Sequence, residues 1–192
     1  MNSKAKRRLF FALWPNDQIR HLIVEQFKQL PKALNGRAIQ PHNLHITLNF
    51  VGSVNQDIQA CMQAAAKTIR AKSFICNLDC FGYFSRSKTL WLGSQDTPAG
   101  LTHLHNELSE ALTNCGYSAE KRIFKPHITL IRKCTLEDSP KTDFSIAWPI
   151  DSFALVESHR DQHGANYQVI ETYPFAVKRR NVGIDTNDQL NS

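Results

Sequence analysis

The 192-residue chain contains no apolar run approaching the roughly 20 residues that a helix needs to cross a bilayer. Its basic opening, Lys4-Ala5-Lys6-Arg7-Arg8, imitates the start of a signal peptide. The apolar stretch that follows, Leu9 to Trp14, is too short for one and is cut by Pro15-Asn16-Asp17. Cysteine is sparse and odd in number: Cys61, Cys76, Cys80, Cys115 and Cys134 include no C-x-x-C pair. That argues against a disulfide framework or a zinc ribbon and predicts free thiols in a reducing cytoplasm. No H-E-x-x-H is present, and no cluster of carboxylates accompanies the histidines, so neither a metal nor a cofactor is expected. Acidic residues are outnumbered, 17 against 23 Lys and Arg, and the net charge of +6 favours an anionic partner without specifying one. With 21% charged and 42% hydrophobic residues the composition is globular, and the length suits one domain or two fused lobes. The expected protein is soluble, cytoplasmic and free of membrane contact.

What the sequence does contain is one tetrapeptide twice. His45-Ile46-Thr47-Leu48 returns as His127-Ile128-Thr129-Leu130, one copy in each half of the chain. Some tetrapeptide recurs by chance in a chain this long with odds on the order of one in ten, so the content must carry the weight. Both copies fall in stretches with strand character, Leu44 to Val51 and Pro126 to Lys133. In an extended chain His and Thr share one face while Ile and Leu take the other, so the apolar pair can anchor and the polar pair can line a cleft. Two imidazoles and two hydroxyls brought together suit a phosphate ester. One imidazole accepts a proton while the other donates one, and hydroxyls bond the non-bridging oxygens.

Around these motifs strands and helices alternate. Arg7 to Leu13 reads as a strand with Arg8, Phe10 and Ala12 on one face, and Phe10 is a candidate for stacking on a base. Ile19, Leu22, Ile23, Phe27 and Leu30 predict a helix stopped by Pro31. Lys32 and Arg37 charge the loop that follows; contact with RNA phosphates is one reading of them, and solvated loop charge is the preferred one. Asn55 caps a second helix carrying Ile58, Met62, Ala66 and Ile69, and Thr97-Pro98 opens a third with Leu101, Leu104, Leu108 and Leu112. Strands are predicted over Phe74 to Phe81, Lys88 to Leu92, Phe144 to Trp148, Phe153 to Ser158 and Tyr167 to Thr172. Trp91 is expected in the core, and His103, His105, His159 and His163 at the surface. His42 and His45 fall on opposite strand faces, which disfavours a shared metal. Arg132 follows His127 by five residues, an offset that puts it on the wrong face unless a bulge intervenes.

These residues resemble a known family. Two H-x-T-x motifs with apolar x are the signature of the 2H phosphoesterases, and the surroundings resemble the RNA 2′,3′-cyclic phosphodiesterase branch, also called 2′-5′ RNA ligase. The similarity is carried by Arg8 to Leu13, Asn43 to Leu48 with Phe50-Val51-Gly52, Leu90 to Gly93, and Phe124 to Arg132. It implies an α+β, bilobal fold: two similar lobes whose antiparallel sheets face each other across a central cleft, with helices outside. One domain spans 1–177 and a polar tail 178–192. It further implies metal-independent hydrolysis of RNA 2′,3′-cyclic phosphate to 2′-phosphate, with His127 as base and His45 as acid, and a related reversible 2′-5′ ligation. Thr47, Thr129 and Arg132 would hold the phosphate. The partner is RNA with a cyclic phosphate end, tRNA fragments among the candidates, and a monomer is expected. The rivals are a non-catalytic RNA-binding module, a metal-dependent phosphodiesterase, and a 2H enzyme acting on another cyclic phosphate.

Overall fold

A computed structural model describes residues 6–31, 34–119, 122–137, 139–161 and 164–175. Lys32, His163 and the predicted tail lie outside this range. Among the described residues ten strands and three α-helices follow in the order β1 (Arg7–Leu13), α1 (Asp17–Lys28), β2 (Arg37–Ala38), β3 (Ile46–Val54), α2 (Gln56–Ala66), β4 (Phe74–Leu78), β5 (Cys80–Phe84), β6 (Thr89–Gly93), α3 (Ala99–Thr113), β7 (Ile128–Arg132), β8 (Ile146–Ile150), β9 (Ser152–Asp161) and β10 (Gly164–Pro174).

The principal sheet runs β10-β9-β1-β3-β7-β6-β5, with β2 also on β7, and every pairing is antiparallel. Its two halves meet through a single residue pair, Ile46 opposite Ile128. These residues hold the same place in the two copies of the repeat, so an approximate twofold axis passes between them. That seam sets the first lobe, β10-β9-β1-β3, against the second, β7-β6-β5. A separate two-stranded sheet, β4 with β8, completes the fold.

The alternation in β1 sorts its side chains between two faces. Leu9, Phe11 and Leu13 enter the main core with Ile19 and Ile23 of α1, Met62 of α2, and Leu104 and Leu108 of α3. Ile46, Leu48, Ile128 and Leu130 join that same core, as the apolar half of each motif requires. The other face carries a smaller cluster of Phe10, Ala12, Ala154 and Val156, flanked by Trp14 and Tyr167. Helices α1 and α2 begin at Asn16 and Asn55, whose side chains accept from the Ile19 and Ile58 amides at 2.9 Å. Helix α3 begins one residue later than expected, with Pro98 itself at the cap and no side-chain bond there.

Three expectations change. The predicted strand 74–81 is two strands in different sheets, broken at Asp79, whose amide donates to the Gly93 carbonyl at 2.9 Å. Gly82, just past the predicted strand, lies inside β5, where only glycine fits because the Trp91 indole occupies the space a Cβ would need. The thiols are not all free. Cys61 and Cys115 form a disulfide that ties α2 to the residue beyond α3, leaving Cys76, Cys80 and Cys134 unpaired. The pair is 54 residues apart in sequence, and only the packing of α2 on α3 brings it together.

Candidate active site

The two motif histidines are built alike. His45 donates from Nδ1 to the Asn43 carbonyl at 2.7 Å, and His127 donates from Nδ1 to the Lys125 carbonyl at 2.8 Å. Both acceptors precede their histidine by two residues, so the twofold relation extends to the tautomer. With the proton on Nδ1, each ring keeps its lone pair on Nε2. Thr47 donates to Nε2 of His45 at 3.1 Å. Thr129 is half-buried and sits opposite Trp91 on β6.

Each ring has an aromatic mount. His45 stacks on Trp14 at 5.5 Å and meets Phe10 at 4.9 Å and the edge of Tyr167 at 5.1 Å. The Phe10 ring, 3% exposed, lies between His45 and Tyr167 on the cavity wall. His127 stands edge-on to Phe84 at 4.9 Å, with Trp91 at 6.1 Å. Trp91 is buried, as expected, but outside both apolar clusters, where it supports His127 and carries the Lys125 ammonium over its ring.

Bulges decide which further residues reach the site. Along β3 the register steps from Ala12–Thr47 to Phe11–Asn49, making Leu48 an extra residue. Along β7 it steps from Trp91–Thr129 to Leu90–Ile131, making Leu130 extra. Each bulge shifts the alternation by one and turns the residue five beyond the histidine onto the histidine's face. Those residues are Phe50 and Arg132. The bulge thus removes the parity objection to Arg132, which lines a cavity of about 490 Å³ together with His45, Thr47, Phe50 and Tyr167. A second cavity, about 1080 Å³, shares Thr47 and Phe50 with the first and continues to His127, Phe84 and Lys125. The motifs therefore lie along one cleft.

Burial pushes the His45 pKa down from the ordinary 6.5 to about 4. The Asn43 carbonyl opposes that shift, and the charges of Arg132 and His127 add to it. His127 is lowered for the same leading reason, with the Lys125 carbonyl opposing and Arg132 and Lys125 adding. Burial thus favours the neutral form of both imidazoles, and an anion between them would favour the charged forms.

Two residues given no role at the site in the sequence serve it. Asn43, 5% exposed, donates to the Ala165 carbonyl at 2.8 Å and accepts from the Tyr167 amide at 3.2 Å, which locks β10 beside His45. Nothing local marks it, since its partners lie more than 120 residues away. His105, expected at the surface, is half-buried. It stacks on Phe124 at 3.9 Å and bonds through Nδ1 to the carbonyl of Leu48, the bulge residue. His42 is exposed, and His103 and His159 are exposed partners of Glu107 and Glu157.

A family model described as the 2′-5′ RNA ligase superfamily matches residues 15–162. The RNA 2′,3′-cyclic phosphodiesterase of Escherichia coli is 33% identical over 153 residues, covering 79% of this chain and 87% of that protein. The protein of the same name from Thermus thermophilus is 29% identical over 181 residues, covering 86% and 89%. The structure of E. coli LigT complexed with 3′-AMP superposes with a TM-score of 0.83 at 29% identity, covering 90% of this chain and 99% of that one. An antiparallel sheet with a His-x-Thr strand on either side of its seam defines the two-histidine phosphoesterases. Within that class the chain belongs to the 2′-5′ RNA ligase superfamily.

Proposed function

We propose that this protein hydrolyses the 2′,3′-cyclic phosphate end of RNA to a 2′-phosphate, using its two motif histidines for both proton transfers and no metal. The observation that carries this reading is the matched pair of Nδ1–carbonyl bonds, which leaves the Nε2 side of each ring for proton transfer, with Thr47 donating to that of His45 in the resting site. His127 takes a proton from water as the water attacks phosphorus in line with O3′. The P–O3′ bond breaks, and His45 delivers its proton to O3′, leaving a free 3′-hydroxyl. Thr47 and Thr129 donate to the non-bridging oxygens, and Arg132 offsets the charge that builds on them. Replacing water by the 5′-hydroxyl of a second RNA strand gives the 2′-5′ linkage by the same in-line step: P–O5′ forms, P–O3′ breaks, and O3′ takes the proton.

The relatives named RNA 2′,3′-cyclic phosphodiesterase support this substrate class. Terminal phosphates on tRNA fragments, a monomeric state and a cytoplasmic setting belong to the same reading. No helix among the described residues is long and apolar enough to cross a membrane.

One observation favours exchanging the two roles. Burial keeps the His45 ring neutral down to about pH 4, and a base must rest neutral. A p-nitrophenyl phosphodiester separates the assignments, because its leaving group needs no proton. The variant lacking the acid recovers on that ester, whereas the variant lacking the base does not. The primary test is turnover, in chelator, of a short RNA ending in 2′,3′-cyclic phosphate. His45→Ala and His127→Ala should each abolish it, and the native product should be the 2′-phosphate. Activity that survives in either variant, or vanishes only in chelator, would sink the mechanism. Because one ring must be charged and the other neutral, and both are lowered from 6.5, kcat/KM should be bell-shaped with its optimum below pH 6.5.

A further inference from the structure

The cavity beside His45 is lined by three arginines, Arg8, Arg37 and Arg132, and by no carboxylate. Among the described residues none of the three forms an ion pair. Their neighbour Arg7 does, with Glu157 of β9. Arg37 faces Arg132 directly across the β2–β7 pairing, so two guanidinium groups issue side by side from adjacent strands. The third is placed by the twofold relation of the motifs. Where the second motif has Arg132 the first has Phe50, and the Arg8 guanidinium lies over the Phe50 ring at 4.8 Å. Arg8 shares its face of β1 with Phe10, so it projects into the same cavity.

A cyclic phosphate diester carries one negative charge, which one arginine answers. Like charges gathered without counter-charge repel, and the positive charge of this lining exceeds what the reacting group alone offsets. The next anion available on an RNA end is the phosphodiester on the 5′ oxygen of the terminal nucleotide. We infer that Arg8 and Arg37 form a second phosphate subsite that binds this internucleotide phosphate, so that the site selects an oligonucleotide end over a lone nucleoside 2′,3′-cyclic phosphate. The inference rests on the cyclic-phosphate reading above and adds the length and charge of the preferred substrate. Arg132 stays with the reacting phosphate. Phe50 keeps the flexible Arg8 stem in one orientation, which lowers the entropy lost when the phosphate binds.

The test compares two dinucleotides ending in 2′,3′-cyclic phosphate. One has an ordinary internucleotide phosphodiester, and the other a methylphosphonate that removes the single charge and keeps the rest. For the native protein kcat/KM should favour the charged dinucleotide by about tenfold or more, the discrimination of one well-placed charged contact. Arg8→Gln and Arg37→Gln should each shrink that ratio severalfold, and the double variant should bring it near one. Arg8→Lys should retain part of it. For the charged dinucleotide each neutralised arginine should also lower the slope of log Kd against log salt by about 0.7, the counterion release for a single strand. A purely structural role for either arginine would not move that slope. A native ratio near one, or an unchanged ratio in both variants, overturns the subsite. The same pair of compounds as 2′-phosphate products, measured by Kd, separates this inference from its foundation. A charge preference in binding with no turnover of any cyclic phosphate leaves the subsite standing and removes the reaction. Turnover without charge preference does the reverse.

Discussion

Lowering the pH should unfold this protein from the active site outward, and His45 sets the scale. Its pKa is held near 4 in the folded chain, against an ordinary 6.5 once burial is lost. Between those values the unfolded state binds a proton that the native state refuses, so stability rises with pH across the window and is lost as pH falls through it. Above pH 6.5 neither state is protonated at this position and the contribution is flat. At about 1.4 kcal/mol for each pH unit, the full descent costs about 3 kcal/mol. That is a large part of the stability of an ordinary domain, roughly 5–15 kcal/mol. His127 is displaced in the same direction and adds to the loss. The assay is urea denaturation at intervals from about pH 8 to about pH 4, native against His45→Gln, with side-chain NMR following the His45 ring. The native protein should lose stability steeply from about pH 6.5 downward, and the variant should show a shallower fall. Equal slopes in the two proteins, or an NMR midpoint near 6.5, would refute the claim that burial depresses this imidazole. A bound phosphate analogue should reverse part of the effect, since an anion beside the rings favours their charged forms.

Other consequences are more local. Asn43→Ala leaves the half-buried Ala165 carbonyl and Tyr167 amide without their partner, at about 1 kcal/mol for each group. Urea midpoints should therefore fall, and hydrogen exchange should quicken first in β10. His105→Ala removes the bond to the Leu48 carbonyl and the stack on Phe124, with an expected destabilisation of about 1–3 kcal/mol. Because Leu48 is the bulge that turns Phe50 into the cleft, KM should rise as well, and an unchanged KM would show that the bulge holds without its histidine. Opening the Cys61–Cys115 link, which closes a sequence separation of 54 residues, should cost about 4 kcal/mol by chain entropy. Denaturation with and without reductant measures it, with Cys61→Ser and Cys115→Ser together as the control.

The family was legible in the chain through the resemblance of its two motifs, and the shared face of the proposed reacting groups follows from local periodicity. His-x-Thr-x in a strand puts polar residues on one face and apolar ones on the other wherever the strand lies, and the helix stripes at Ile19–Ile23 and Leu101–Leu112 work in the same way. Arg8 and Phe10 could be assigned a common face for that reason. What tertiary structure alone decided were matters of pairing between distant segments. The Leu48 and Leu130 bulges are defined by the partner strands, so whether Arg132 faces the cleft is settled by β6 and not by its own offset of five. The same dependence hid Asn43, whose side chain matters because β10 passes beside it, and it hid His105, whose ring lies under Phe124 only once α3 has packed on β3. Cysteine was misread because spacing reports short-range geometry, and a disulfide across two packed helices has none to report. A residue's own strand or helix can be read from its neighbours in sequence. Which other element it meets depends on how the whole chain buries its apolar surface.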